Sequence, residues 1–134
     1  MSEEESLRAR VRMNLWLEND EGVMFGLGRA QLLKLIDELG SLNKAAKKLG
    51  MSYRAAWGRI KSTEEVLGDH IVEKSRGRSG YNLTPLGIMI LNEYKKWQAD
   101  VESYALVKAR EFFPWDIQPY KDFDEKEESQ DDKD

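Results

Sequence analysis

Cysteine is absent from this chain of 134 residues, histidine occurs once and proline three times. The missing thiols exclude disulfides, thiolate metal sites and cysteine nucleophiles, and a single histidine, His70, cannot assemble a multi-histidine metal centre. No apolar run approaches the ~20 residues that span a bilayer. The opening MSEEESLRAR lacks the cationic start and apolar stretch of a signal peptide, so a cytoplasmic protein with no membrane partner is expected. No nucleophile, carboxylate pair or phosphate-cradling glycine loop falls into pattern around His70, which therefore reads as structural. Gly26-Leu27-Gly28 lacks the third glycine and the following acid of a dinucleotide fingerprint and reads as a strand exit. The expectation is a non-enzyme with no catalytic residues, no metal, no cofactor and no evident small-molecule effector.

What is present is charge, distributed unevenly. The chain is 40% hydrophobic and 34% charged, with a mean hydropathy of -0.68, as for a globular protein about one domain long with a polar surface. Its net charge of -4 argues against nucleic acid only as an average. Residues 1–27 carry 3 basic and 6 acidic groups, residues 28–113 carry 15 and 10, and residues 114–134 carry 3 and 9. Between Ser41 and Gly80 there are 9 basic residues against 4 acidic ones. A cationic centre is thus flanked by acidic ends.

Periodicity divides the chain into elements. In Val11–Leu17 every second residue is apolar, which predicts a strand; the turn Glu18–Gly22 and the segment Val23–Phe25 complete an N-terminal β-hairpin. From Arg29 the spacing becomes helical, with Leu32, Leu35, Ile36 and Leu39 on one face and Gly40 as C-cap. Ser41 is placed to cap a short helix whose Leu42, Ala45, Ala46 and Leu49 oppose Lys44, Lys47 and Lys48. Ser52 caps a third helix over residues 53–67, with Ala56, Ile60, Thr63 and Leu67 inward and Gly68 closing it. HIVEK, the tip SRGRSG and YNL then form a two-stranded wing with its turn at about residues 75–80. Thr84 and Pro85 open a long helix, about 85–112, with no further proline until Pro114.

Two helices joined by a tight turn and followed by a basic hairpin suit the major groove of a duplex. Tyr53, Arg54, Trp57 and Lys61 fall on the face of the third helix away from Ala56 and Ile60. Arg54 is the base-reading candidate, because a guanidinium forks onto the two acceptors of guanine. Ser52, Tyr53 and the first-turn amides can hold phosphate instead. Gly58 costs helix stability and leaves room for close approach of a partner. Lys44 can meet phosphates, and Arg76 and Arg78, spaced by glycine at the wing tip, suit a narrow groove or a phosphate ridge. A solvated helix face and a plain hairpin are the bland alternatives. Along the last helix Ile90, Tyr94, Trp97, Val101 and Tyr104 follow a 4-3-4-3 spacing, the seam of two packed helices and a candidate homodimer interface. Residues 114–134 read as an acidic, largely disordered tail that can compete with DNA for the cationic face.

The segment GSLNKAAKKLGMSYRAAWGRIKSTEEVLG, followed by a basic hairpin and LTPLG, resembles the N-terminal DNA-binding domain of ModE-type regulators, which belong with the LysR-type winged helices. The resemblance runs from about Leu15 to Ala109. It implies a transcription factor that dimerises through helices flanking the winged helix and binds a two-fold operator. It places Ser52, Tyr53, Arg54, Trp57 and Lys61 on the recognition helix and Arg76 and Arg78 in the wing. The molybdate-binding barrels of full-length ModE-like proteins are not expected here. The expected architecture is an α+β winged helix-turn-helix with an N-terminal β-hairpin and a long C-terminal dimerisation helix: an arm over 1–9, the domain over 10–113 and the tail over 114–134. The expected partner is double-stranded DNA, bound by a homodimer at an inverted repeat. A winged-helix scaffold that binds another regulator or sensor is the alternative from a different class.

Overall fold

The computed structural model describes residues 7–75 and 80–120. The chain divides into two compact units: one is Asn14–Lys95, and the other combines the described parts of Met1–Met13 and Lys96–Asp134.

In the larger unit, β2 (Trp16–Asn19) and β3 (Gly22–Gly26) form an antiparallel hairpin that leads directly into α1 (Leu27–Leu39). The glycine pair around Leu27 is the strand exit its sequence suggested. Helix α1 buries Ala30, Leu32, Leu33, Leu35 and Ile36, a broad apolar stripe. Leu39, expected on that stripe, is exposed: it is the last helical residue before Gly40 turns left-handed at φ 66°. Helix α2 (Leu42–Lys48) is capped by Ser41 Oγ, which accepts from the Lys44 amide at 3.1 Å. It presents the small Ala45 and Ala46 beside Leu42 to the core, so short side chains let three helices converge. Helix α3 (Tyr53–Leu67) adds Ala56, Ile60 and Thr63. The one polar member of that row is satisfied, because Thr63 Oγ1 donates to the Met24 carbonyl.

The wing follows as β4 (Val72–Lys74) paired antiparallel with β5 (Tyr81–Leu83). Val72 and Leu83 face each other and are buried, while Glu73 and Asn82 point outward. Helix α4 (Pro85–Phe112) has the bounds that Pro85 and Pro114 set. Three elements meet at Ile71. Its amide donates to Glu64 Oε2 of α3 at 2.8 Å, its carbonyl accepts from the Thr84 amide at 3.1 Å, and its side chain is 1% exposed. Thr84 Oγ1 donates to the His70 carbonyl at 2.7 Å and accepts from the Gly87 amide at 3.1 Å, capping α4. Gly87 itself lies against the Ile71 carbonyl so closely that no Cβ fits.

Two sequence expectations need correction. Val11–Leu17 is not one strand. β1 (Arg8–Val11) ends before β2 begins, and carbonyls in between are taken by side chains of α4. Within the larger unit Tyr94 Oη donates to Leu15 O at 2.8 Å; within the smaller, Gln98 Nε2 donates to Met13 O at 2.9 Å. Residues 114–120, assigned to the tail, include a strand. β6 (Asp116–Pro119) pairs parallel with β1 in the smaller unit, framed by Asp116 N–H to Leu7 O at 3.1 Å and Tyr120 N–H to Val11 O at 3.2 Å. Arg110 Nε fastens it by donating to Ile117 O, and the Arg12 guanidinium lies 4.8 Å from the Tyr120 ring centre. The expected arm residues 1–6, wing tip 76–79 and tail residues 121–134 lie outside the described residues.

Two glycines on the same chain are expected to respond in opposite directions. Gly87→Ala forces a methyl group onto the Ile71 carbonyl and should cost about 1–3 kcal/mol. Gly58→Ala, in an exposed helix interior with open space around it, should stabilise by up to about 1 kcal/mol. Urea unfolding midpoints of the two variants check both signs.

Candidate nucleic-acid interface

The α2–α3 corner is built by caps. Leu49 and Gly50 amides close α2, Gly50 takes a φ of 71°, and Ser52 restarts the chain as N-cap of α3. Ser52 Oγ accepts from the Ala55 amide at 3.0 Å, so this hydroxyl is already committed as a cap. What it leaves is the positive end of a four-turn helix without an acidic residue in its first turn.

Arg54, Gly58 and Lys61 recur at helical spacing along one side of α3, and all three are exposed. No ion-pair partner is found for Arg54 or Lys61 among the described residues. Gly58 has nothing within 4 Å of where a Cβ would stand, so the middle of this face is bare backbone. Tyr53, 44% exposed, flanks it, and Lys44 is exposed on α2. Trp57 does something different from what its position on the helical wheel suggested. It is half-buried, with its ring edge-on to Tyr81 of the wing at 5.4 Å and to Tyr53 at 6.4 Å. Lys61 Nζ sits 5.7 Å from the same ring. Trp57 therefore holds α3 to the wing and orients Tyr53 and Lys61 beside it.

Tyr81, which the sequence pattern did not single out, completes this aromatic group. Partial desolvation and then a hydrogen bond with Tyr53 push the Tyr81 phenol above the usual tyrosine range, so this hydroxyl keeps its proton as a hydrogen-bond donor. Tyr81 is anchored by its amide, which donates to the Gly40 carbonyl at 3.0 Å. Beyond Trp57 an open cleft of about 540 Å³ runs between α3 and the wing, where Glu64, Asp69 and Glu73 offset Lys61 and Lys74. The cationic face is thus bounded on the wing side by mixed charge. Arg76 and Arg78 lie outside the described residues.

The candidate dimer seam divides. Tyr94 is 5% exposed, edge-on to Phe25 at 5.5 Å, so it belongs to the core of its own chain. Ile90, Trp97 and Val101 are partly exposed and Tyr104 is 63% exposed. Ile88, Met89 and Val107 add further exposed apolar surface to α4. Among the described residues no group of three His, Cys, Asp or Glu side chains can hold a metal ion, and no helix is long and apolar enough to cross a membrane.

Residues 27–88, from the start of α1 to the start of α4, match the bacterial regulatory helix-turn-helix proteins of the LysR family. Over these residues the chain is similar to a LysR-family helix-turn-helix domain, and it is ModE-like. It is 31% identical over 97 residues to the molybdenum transport protein ModE of Azotobacter vinelandii, covering 70% of this chain and 36% of the relative. It is 33% identical over 69 residues to the transcriptional regulator ModE of Yersinia pestis, covering 49% and 26%. The chain spans about a third of the length of the first curated relatives it matches. Among solved structures, the BenM DBD/benA site 1 DNA complex superposes with a TM-score of 0.50 at 25% identity, covering 62% of this chain and 94% of that one. The LysR-like part therefore folds as a winged helix of this class, and the chain also contains the β2–β3 hairpin, the long α4 and the β1–β6 pair.

If Trp57 couples helix to wing, Trp57→Ala should speed hydrogen exchange at the Tyr81 amide, whereas Trp57→Phe should largely preserve its protection. Equal protection in wild type and Trp57→Ala would show that the wing is held without the indole.

Proposed function

We propose that this chain is a DNA-binding transcriptional regulator that reads a duplex with α3, steadied by the wing, and binds as a homodimer. The observation that carries this proposal is the exposed Arg54–Gly58–Lys61 face, cationic at both ends and open in the middle, on the second helix of the helix-turn-helix, the element that enters the major groove in such motifs. Arg54 is assigned to base edges, where a forked contact discriminates by about 1–3 kcal/mol. Lys61, Tyr53 and Lys44 are assigned to the backbone, and so are Arg76 and Arg78 of the wing. Trp57 and Ser52 are positioning residues, one holding the wing and the other capping the helix. The relatives' names, among them a transcriptional regulator and a DNA complex, support the same role.

Dimerisation is assigned to the exposed apolar side of α4, with Ile90, Trp97, Val101 and Tyr104 as contacts and Tyr94 left in the monomer core. In a two-fold dimer the paired α3 helices enter successive major grooves about 34 Å apart, which calls for an inverted-repeat operator. Sensing of any effector is not assigned to the described residues.

Selection of bound sequences from a random duplex pool tests the reading directly. Enrichment of an inverted repeat with half-sites about one helical turn apart is expected, and enrichment of no sequence would contradict it. Arg54→Ala should flatten the preference at one position of each half-site, whereas Lys61→Ala should weaken all sequences alike and lower the salt slope by roughly one. The opposite pattern would reverse the two assignments. Sedimentation of the free chain at micromolar concentration is expected to show a dimer, and Tyr104→Asp should shift it toward monomer.

A further inference from the structure

The flank of α3 opposite the wing carries positive charge that neither the reading face nor the core uses. Arg59 projects from that flank, and its Nη1 lies 3.0 Å from where a Cβ on Gly28 would stand, over the first turn of α1. Arg29, in the same turn, donates from Nη2 to Ser62 Oγ at 3.0 Å. Ser62 in turn donates to the Arg59 carbonyl at 3.1 Å, which locks the local arrangement. Arg29 Nε is buried and meets no hydrogen-bond acceptor.

Two guanidiniums gathered at one helix turn repel, and burial makes the repulsion costlier. Desolvation first, and Arg59 second, hold Arg29 below the usual arginine value. Proteins ordinarily relieve such a pair with a carboxylate, yet among the described residues none stands within ion-pair distance of either arginine. The helix end adds donors and no acceptor: Gly26, the N-cap of α1, offers no side chain, and the first turn contains no acid. The exposed Arg59 guanidinium, backed by the charge of Arg29 and by a helix end without an acid, matches the chemistry of a phosphate group.

We propose that Arg29 and Arg59 form a phosphate site that grips one backbone phosphate of the duplex beside the bases faced by Arg54. This assignment rests on the DNA-reading role of α3. A helix about 10–12 Å across fills a major groove about 12 Å wide, so its two flanks meet the two phosphate ridges. One flank is covered by the wing through Trp57; the other is the flank that bears Arg59. The site fixes position and carries no sequence information.

The test combines duplex binding over a range of salt with a titration of inorganic phosphate, at constant ionic strength, followed by amide shifts. Arg59 is exposed, so Arg59→Ala should fold; Arg29→Lys, which keeps the charge but loses the fork, is the second variant. In Arg59→Ala the slope of log K against log salt should fall by about 0.9 with the ranking of sequences unchanged, and Arg59→Lys should restore it. Amides 27–29 of the wild type should shift with phosphate and stay still in Arg59→Ala. Phosphate-dependent shifts with an unchanged salt slope would uphold the phosphate site but overturn its assignment to the duplex. An unchanged slope and no shifts would overturn the proposal altogether. A wild-type chain that bound no duplex would defeat the DNA-reading role itself, and the phosphate titration would still decide the site.

Discussion

The segment around Ile71 is the point on which the larger unit turns. The Glu64 carboxylate accepts the Ile71 amide from one side, the Thr84 amide takes its carbonyl from the other, and Gly87 presses against that same carbonyl. The end of α3, the base of the wing and the start of α4 meet at this segment. Each backbone group withdrawn from water there has a named partner, as burial requires. Because these contacts are directional hydrogen bonds and a backbone-on-backbone approach, they fix direction more tightly than a hydrophobic contact can. The wing leaves at a set angle to α3, and α4 leaves at a set angle to the wing.

That fixed geometry gives the aromatic group its use. Trp57 bridges Tyr53 on the helix and Tyr81 on the wing, and Tyr81 is tied to the Gly40 carbonyl at the end of α1. The face outside this group is left to Arg54, Gly58 and Lys61. A residue with a large ring thus works inward, and the residue with no side chain works outward. On the far flank Arg29 and Arg59 wait on an anion the described residues do not supply. The net charge of -4 conceals this because acidic residues gather toward the two ends of the chain.

The helices were legible in the sequence because their ends are marked by local chemistry. Ser41, Ser52 and Thr84 cap, Gly40 and Gly68 close, and Pro85 and Pro114 bracket α4. The wing strands were legible through their flanking glycines and alternation. The β1–β6 pair was not, since it joins residues from nearly opposite ends of the chain and a parallel pairing leaves no turn signature. The single strand expected over Val11–Leu17 failed for a related reason: Tyr94 and Gln98 compete for its carbonyls from far along the sequence. Helical spacing grouped Trp57 with the outward face of α3 and Tyr94 with the outer seam of α4 but could not say what each ring meets. For Trp57 it is the wing, and for Tyr94 it is Phe25. Arg29 and Arg59 escaped notice because nothing in their spacing joins two different helices.

On the proposed reading the duplex lies across α3 between the wing and the start of α1. Amide shifts of the labelled chain, recorded on adding a bound duplex, test it most directly. The account predicts that the largest changes fall on residues 27–29, 52–61 and 74–81, with the β2–β3 hairpin little affected. Changes concentrated on that hairpin or on the outer side of α4, with 52–61 silent, would contradict it.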